Sequence, residues 1–198
     1  MDLTTSQIGE RIKNLRRKRS WTLQYLCQRS GVSVSTLSKL ENGQVATSFD
    51  TLLKVAHGLE TSFDAILSGP ASRGEGRLTV TRQGDAVNFS TSMYEYAVHS
   101  GKLRQKHMIP LLMEIKARHF NEITVWSSHE GEEFVYVVKG KISLYTEYYE
   151  PLFLSAGDSA YIDSKMRHAF LNRTRSSSQI LSVCLGSGLD FPALEVKA

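Results

Sequence analysis

Between residues 5 and 67 the apolar positions recur at helical spacing. Ile8, Ile12 and Leu15 lie on one face with charged residues between them, which predicts an amphipathic helix ending in the basic run Arg16, Arg17, Lys18 and Arg19. Thr22 suits an N-cap, and Leu23, Leu26 and Cys27 supply the buried face of a second helix that Gly31 stops. A third helix starts at Ser33, turns Leu37 and Leu40 inward, and ends at Asn42-Gly43. Two more follow, from Ser48 to about His57 around Leu52, Leu53 and Val55, and from a Ser62 cap to Leu67. Five short helices are expected.

The period then changes. Residues 68–76, SGPASRGEG, have nothing apolar to pack and read as a linker. Beyond them come short β-branched or aromatic runs at 77–81, 93–98, 109–115, 123–126, 134–138, 142–149, 160–163 and 180–185, separated by Gly, Asn, Asp or Ser turns. So many strands without intervening helices predict a sandwich or barrel. The fold class is therefore α + β in two domains: an all-α domain over 1–67 and, after the linker, an all-β domain over 77–198.

Composition adds a direction to this picture. The 198-residue chain carries a formal charge of +4, but residues 1–67 hold nine Lys/Arg against six Asp/Glu, whereas residues 108–198 hold nine against eleven. A basic N-terminal part fits a polyanionic partner. The two cysteines, Cys27 and Cys184, lie in apolar surroundings without a CxxC pattern, and are expected to be reduced and buried. No apolar leader and no membrane-length apolar run occurs, so a cytoplasmic location is expected.

The stretch TLQYLCQRSGVSVSTLSKLENG joins two helices through Ser30-Gly31-Val32, where glycine supplies the left-handed turn. With Thr22, Leu26, Gly31, Val32, Ser33, Leu37, Leu40, Glu41, Asn42 and Gly43, followed by TLLKVAHGL, it resembles the helix-turn-helix domain of the Cro/C1 (XRE) family. The resemblance implies that residues 33–42 form a recognition helix. Spacing leaves Val34, Ser35, Ser38 and Lys39 facing outward with Thr36 at the edge, available to base edges and phosphates of a major groove. It further implies a phosphate contact from Asn42 and a structural ion pair between Arg16 and Glu41. Leu23 stands where many members of the family carry a phosphate-binding glutamine.

In SSHEGEEFVYVVKG (residues 127–140), His129 and Glu133 are four apart and share a face if the chain is extended; His168 opens a later strand. Two histidines and one carboxylate form a set able to hold iron(II) or another divalent ion. His129, Glu133 and Gly140, with Gly157, Asp158, His168 and Asn172, resemble the paired motifs of the cupin family, which implies a small double-stranded β-barrel binding metal, small ligands or both. Iron, zinc, nickel and manganese all suit such a set. A further histidine that most metal-binding cupins carry is replaced here by Ser127. Ser127, Tyr96, Tyr136 and Tyr161 are the candidates for lining a ligand pocket, and Tyr94 is a further aromatic that could face the interior. His99, His107 and His119 fit no ligand spacing and are expected on solvated loops.

The domain order resembles that of bacterial transcription regulators in which a cupin senses a small molecule and a helix-turn-helix dimer binds an operator. The same order occurs in hydroxypropylphosphonate epoxidase, so the alternative is an iron(II) cupin oxygenase or epoxidase with a retained helix-turn-helix. That enzyme's substrate-binding lysine falls here on Ser20, whereas Tyr96 fits its strand tyrosine.

Overall fold

Each of the five helices starts beside a hydroxyl that accepts a hydrogen bond from a backbone amide. The caps are Thr4 (from Gln7), Thr22 (from Tyr25), Ser33 (from Thr36) and Ser48 (from Thr51), with Ser62 accepting from Ala65. The computed structural model describes residues 2–68, 78–101, 103 and 106–185. The helices are α1 (Thr5–Lys18), α2 (Leu23–Ser30), α3 (Val34–Glu41), α4 (Phe49–Gly58) and α5 (Phe63–Ser68). Gly31 closes α2 at φ 69°, the left-handed turn that the α2–α3 angle requires. Gly9 sits where α1 crosses α3, and a Cβ there would overlap the Leu40 carbonyl oxygen. Ile12, Leu26, Leu37, Leu40, Leu52 and Leu59 are fully buried between these helices. Leu23 and Cys27, expected inside, are only half buried.

The strands are β1 (Val87–Ser90), β2 (Tyr94–Val98), β3 (Met108–Ile115), β4 (Glu132–Lys139), β5 (Lys141–Thr146), β6 (Leu152–Ser155), β7 (Ser159–Asp163), β8 (His168–Asn172) and β9 (Ser178–Leu185). They form a six-stranded sheet, β1-β2-β3-β9-β4-β7, and a three-stranded sheet, β6-β5-β8, with antiparallel pairing in both. Two expected strands do not form. Residues 78–81 are irregular, with Leu78 at 82% exposure, and residues 123–126 follow a short 3-10 helix, Phe120–Glu122. β-branched composition makes a strand only where another strand pairs with it, and among the described residues neither stretch has such a partner, although Ile123 and Trp126 pack against the core. β1 and β6 were not expected. Of the expected linker, Ser68 closes α5 and residues 69–76 lie outside the described residues.

The helices pack directly on the strands. Leu3 N donates to the Asn88 carbonyl (2.8 Å), Asn88 Nδ2 donates to Asp2 (2.8 Å), and Lys106 Nζ pairs with Asp64 (2.6 Å), both partners nearly buried. A chain of rings crosses the junction: Phe63 to Phe49 (5.0 Å between centroids), Phe49 to Tyr96 (6.1 Å) and Tyr96 stacked on Phe89 (4.5 Å). One hydrophobic core thus runs from the helices into the barrel.

Inside the helical part, Arg16 Nε and Nη2 donate to the two carboxylate oxygens of Glu41 at 2.6 and 2.7 Å, and Nη1 donates to the Trp21 carbonyl at 2.6 Å. Both side chains are buried, so this fork clamps α1, α3 and the start of α2 in a single geometry. Removing one partner strands the other charge out of water. Glu41→Ala is expected to destabilise the chain by about 3 kcal/mol. A denaturant midpoint equal to that of the parent would show that the pair contributes nothing.

Candidate functional site

β4 alternates outward and inward, which turns Glu133, Val135 and Val137 into the barrel. Pairing sets Cys184 of β9 directly opposite Glu133 and Ser182 opposite Val135, so both point to the same interior face. His129 precedes β4 and is fixed by its amide donating to the Ser164 carbonyl (3.0 Å), with Ser164 N returning to the Gly131 carbonyl (3.1 Å). His168 opens β8, where its backbone exchanges two 2.9 Å hydrogen bonds with Ser127. That pairing puts Ser127 on the same face as His168.

The three predicted ligands converge. Glu133 Oε2 lies 3.6 Å from His129 Nε2 and 3.1 Å from His168 Nε2, with all three residues buried. The opposite ring nitrogens face carbonyls: His129 Nδ1 donates to Glu130 O (3.3 Å) and His168 Nδ1 to Met166 O (2.9 Å). A carbonyl cannot donate, so each Nδ1 carries the proton and each Nε2 is left for the interior. The remaining carboxylate oxygen of Glu133 accepts from Ser182 Oγ at 2.6 Å. Sequence reasoning missed Cys184 as a member of this group. Ligand atoms of His129, Glu133 and Cys184 all lie within 4.8 Å of one another, and Ser182 Oγ is 3.4 Å from the thiol sulfur. The period-two pattern from Ile180 through Ser182 to Cys184 was its signal.

Burial alone would raise the Glu133 carboxyl, but hydrogen bonds from His129, His168 and Ser182 hold it well below the ordinary carboxylate range. For His168, burial opposes the charged form and the bond to Glu133 outweighs it, so its pKa lies above the ordinary value. Burial pushes the Cys184 thiol well up, reinforced by the charge of Glu133. Both imidazole Nε2 atoms lie against Glu133 Oε2, whereas the group whose ligand atoms all lie within 4.8 Å of one another is His129, Glu133 and Cys184; imidazole, carboxylate and thiol are donor types that suit a divalent ion.

Around this group the pocket predictions fare differently. Tyr136 and Tyr161 are corrected: they are 40% and 67% exposed on the outer face of the sheet, because each has the opposite parity to inward residues beside it. Tyr96 is buried and stacked on Phe89, and it borders a cavity of about 560 Å³ together with Leu3, Asn88 and Glu95. Tyr94 also fills the barrel, accepting from Phe170 N (3.0 Å) and donating to Phe170 O (3.3 Å). Another cavity, of about 610 Å³, lies at the barrel mouth between the helical and β parts, bordered by Lys54, His57, Lys106, Ser128, His129 and Lys165. His107, expected on a solvated loop, also borders it; His119 is exposed and His99 is half buried.

On the helical domain, Ser35, Lys39 and Asn42 are exposed and Val34, Thr36 and Ser38 are half buried, whereas Leu37 and Leu40 are buried. Of the four residues that spacing turns outward, Ser35 and Lys39 are exposed, whereas Val34 and Ser38 are partly covered. Ser33 Oγ, Ser35 Oγ and Thr36 Oγ1 are bonded together at its N-terminus, and Lys13 Nζ lies 3.5 Å from Asn42 Oδ1 at its C-terminus.

The charges at the buried site set a pH dependence for the ion-free protein. Glu133, depressed in the folded state, contributes stability that is present above its ordinary value of 4.5 and lost as pH falls through the lower folded value. His168, raised in the folded state, contributes stability that is present below 6.5 and lost as pH rises through the higher folded value. The melting-temperature gap between the chelator-treated protein and its Glu133→Gln variant should therefore be widest between pH 4.5 and 6.5 and narrow on both sides. A gap independent of pH from 3 to 9 would contradict this coupling.

Comparison with known proteins agrees with both halves. Residues 12–66 match the helix-turn-helix family HTH_3 and residues 113–184 match the cupin domain family. Over 61 residues the chain is 36% identical to the HTH-type transcriptional regulator SutR of Escherichia coli K12, covering 31% of this chain. The match spans about a third of that regulator's length, 34%. An HTH_3 family transcriptional regulator from Vibrio cholerae superposes with a TM-score of 0.61 at 21% identity, over 91% of this chain and 96% of that one. The Fe(II) form of HppE with an alternative substrate superposes with a TM-score of 0.50 at 20% identity, over 93% and 100%. The chain thus joins an HTH_3 helix-turn-helix domain to a cupin domain, in the order that its sequence predicts.

Proposed function

We propose that the chain is a DNA-binding transcription regulator, acting as a homodimer in the cytoplasm, whose cupin domain responds to a divalent cation, a small molecule or both. The observation that carries the reading is the α3 surface. A matched helix-turn-helix domain keeps a polar, exposed recognition face while the Arg16–Glu41 fork fixes the angle of the helix behind it. The cited regulators support the same assignment. Among the described residues no helix is long and apolar enough to cross a membrane.

Dimerisation has support from the outer face of the barrel. Phe134, Tyr136 and Val138 of β4 and Tyr161 of β7 are all 40% exposed or more, and Phe134 pairs directly with Tyr161 across the strands. β7 is the edge of the six-stranded sheet. An exposed aromatic row at a sheet edge suits a second copy. The effector site is assigned to the mouth cavity, with His129 in its wall and His129, Glu133 and His168 as the ligands of a divalent ion. Iron, zinc, nickel and manganese are the candidates. Such an ion, when bound, would supply a positive centre for an acidic effector; the chain's own part is to hold both imidazoles by their Nδ1 atoms and to cover His129 with the Phe49 ring.

The two-histidine, one-glutamate set also supports a second reading, an iron(II) cupin oxygenase or epoxidase. HppE supports its fold alone.

Two measurements separate these readings. Lys39→Ala is expected to weaken binding to a selected operator by about 1–3 kcal/mol if the ammonium reads a guanine, with folding unchanged. Anisotropy titrations that give equal affinity for parent and variant would remove α3 as the reader. The double variant His129→Ala, His168→Ala is expected to lose metal uptake, measured by metal analysis after dialysis, while operator binding persists. A chain that selects no operator sequence but consumes oxygen with a small substrate in an iron-dependent manner would establish the enzyme instead.

A further inference from the structure

Asp50 belongs to α4 of the helix-turn-helix domain, yet it is buried to 4% exposure against the cupin domain. Its Oδ2 accepts from the amide of Ser128 at 3.1 Å, immediately before the ligand His129. Its Oδ1 is buried and has no hydrogen-bond partner among the described residues. The preceding residue, Phe49, sets its ring edge-on against the His129 ring at 5.8 Å. A carboxyl group with one oxygen unpaired is costly to bury, and such a group in a folded protein calls for a specific compensation. The N-terminus of α4, where Asp50 lies in the first turn, offsets part of this cost.

A cation supplies the rest. Glu133 gives the site one negative charge and the two imidazoles bind through neutral nitrogens, so a divalent ion held by these three keeps a net positive charge inside the barrel mouth. A second carboxylate balances it.

We infer that Asp50 completes the cation site across the domain junction, so that a divalent ion bound to His129, Glu133 and His168 draws α4 of the DNA-binding domain onto the cupin mouth. The inference rests on the reading of that cluster as a divalent-ion site. Because the docked form presents two carboxylates and an undocked form only one, the ion binds the docked form more tightly and by linkage favours it. Asp50 is then a positioning residue for the helix-turn-helix domain.

The test uses the full chain with Mn²⁺ and Zn²⁺ as probes. Calorimetric titration is expected to give an affinity for Asp50→Asn, an isosteric change, at least about tenfold weaker than the parent, as for other outer partners of metal ligands. Hydrogen exchange read by mass spectrometry is expected to slow in residues 49–58 when the parent takes up the ion, and to change little there in Asp50→Asn even when that variant is saturated. Equal affinities, or equal protection of residues 49–58 in parent and variant, overturn the role of Asp50 and leave the metal site standing. If Asp50→Asn does not fold, the parent decides alone: ion uptake without slower exchange in residues 49–58 overturns the inference. A parent chain that binds neither ion overturns the metal site, and the inference with it.

Discussion

A carboxylate buried inside a β-barrel must be compensated, and the neighbourhood of Glu133 is built around that requirement. At 3% exposure its charge would cost several kcal/mol if left alone. Two histidines and a serine surround it, and each of them is held by backbone rather than by chance. The Ser127–His168 bridge fixes one imidazole, the His129–Ser164 bond fixes the other, and the β4–β9 register brings in Ser182. Those constraints fold the loop before β4 tightly. Gly131, at φ 99° and placed where a Cβ would overlap the Leu185 carbonyl oxygen, is the turn that lets His129 and Glu133 face one another. The polar site therefore dictates backbone geometry over three strands.

The sequence made the helical part almost fully legible because its signals are local: hydroxyl caps, a glycine stop and a 3.6-residue period all act within a few positions. The ligand set was legible for a related reason. Glu133 lies on the inward side of the period-two pattern of β4, the turn at Gly131 brings His129 to the same carboxylate, and His168 opens a strand of the other sheet. The errors came from applying that pattern unevenly. Tyr136 is three residues from Glu133 and so must face away from it, and Tyr161 neighbours Ile162, which pairs with Glu133. Counting parity would have turned both outward. Cys184 is buried as expected, and the same count from Ile180 sets it on the face that carries Glu133. Leu78 and Val80 were read as strand from composition, but a strand needs a partner, and that is decided elsewhere in the chain.

Asp50 and Phe49 were not legible as members of the site. In sequence they are the first turn of a helix after a serine cap, where an acid is explained by the helix dipole and an aromatic by the core. Their second role arises only because α4 lies over the cupin mouth, a contact between parts far apart in the chain. It also relocates the space for a ligand. The barrel interior is filled by Tyr94, Tyr96 and Phe170, so the 610 Å³ cavity forms where the two domains meet.

That location has a consequence for signalling. A ligand enclosed within a rigid barrel would change little outside it, whereas one bound at the junction contacts both domains at once. α4 packs on α2, and α2 is joined to α3 by the Gly31 turn, with Leu26, Leu37 and Leu52 fully buried among them. Close-packed side chains of this kind transmit displacement rather than absorb it. In the proposed regulator no long pathway is needed: the helix beside the proposed cation site is one layer from the proposed recognition helix. The size of any response is then bounded by how much more tightly the ligand binds the docked arrangement than the undocked one, and the charge on Asp50 is the feature that makes those two affinities differ.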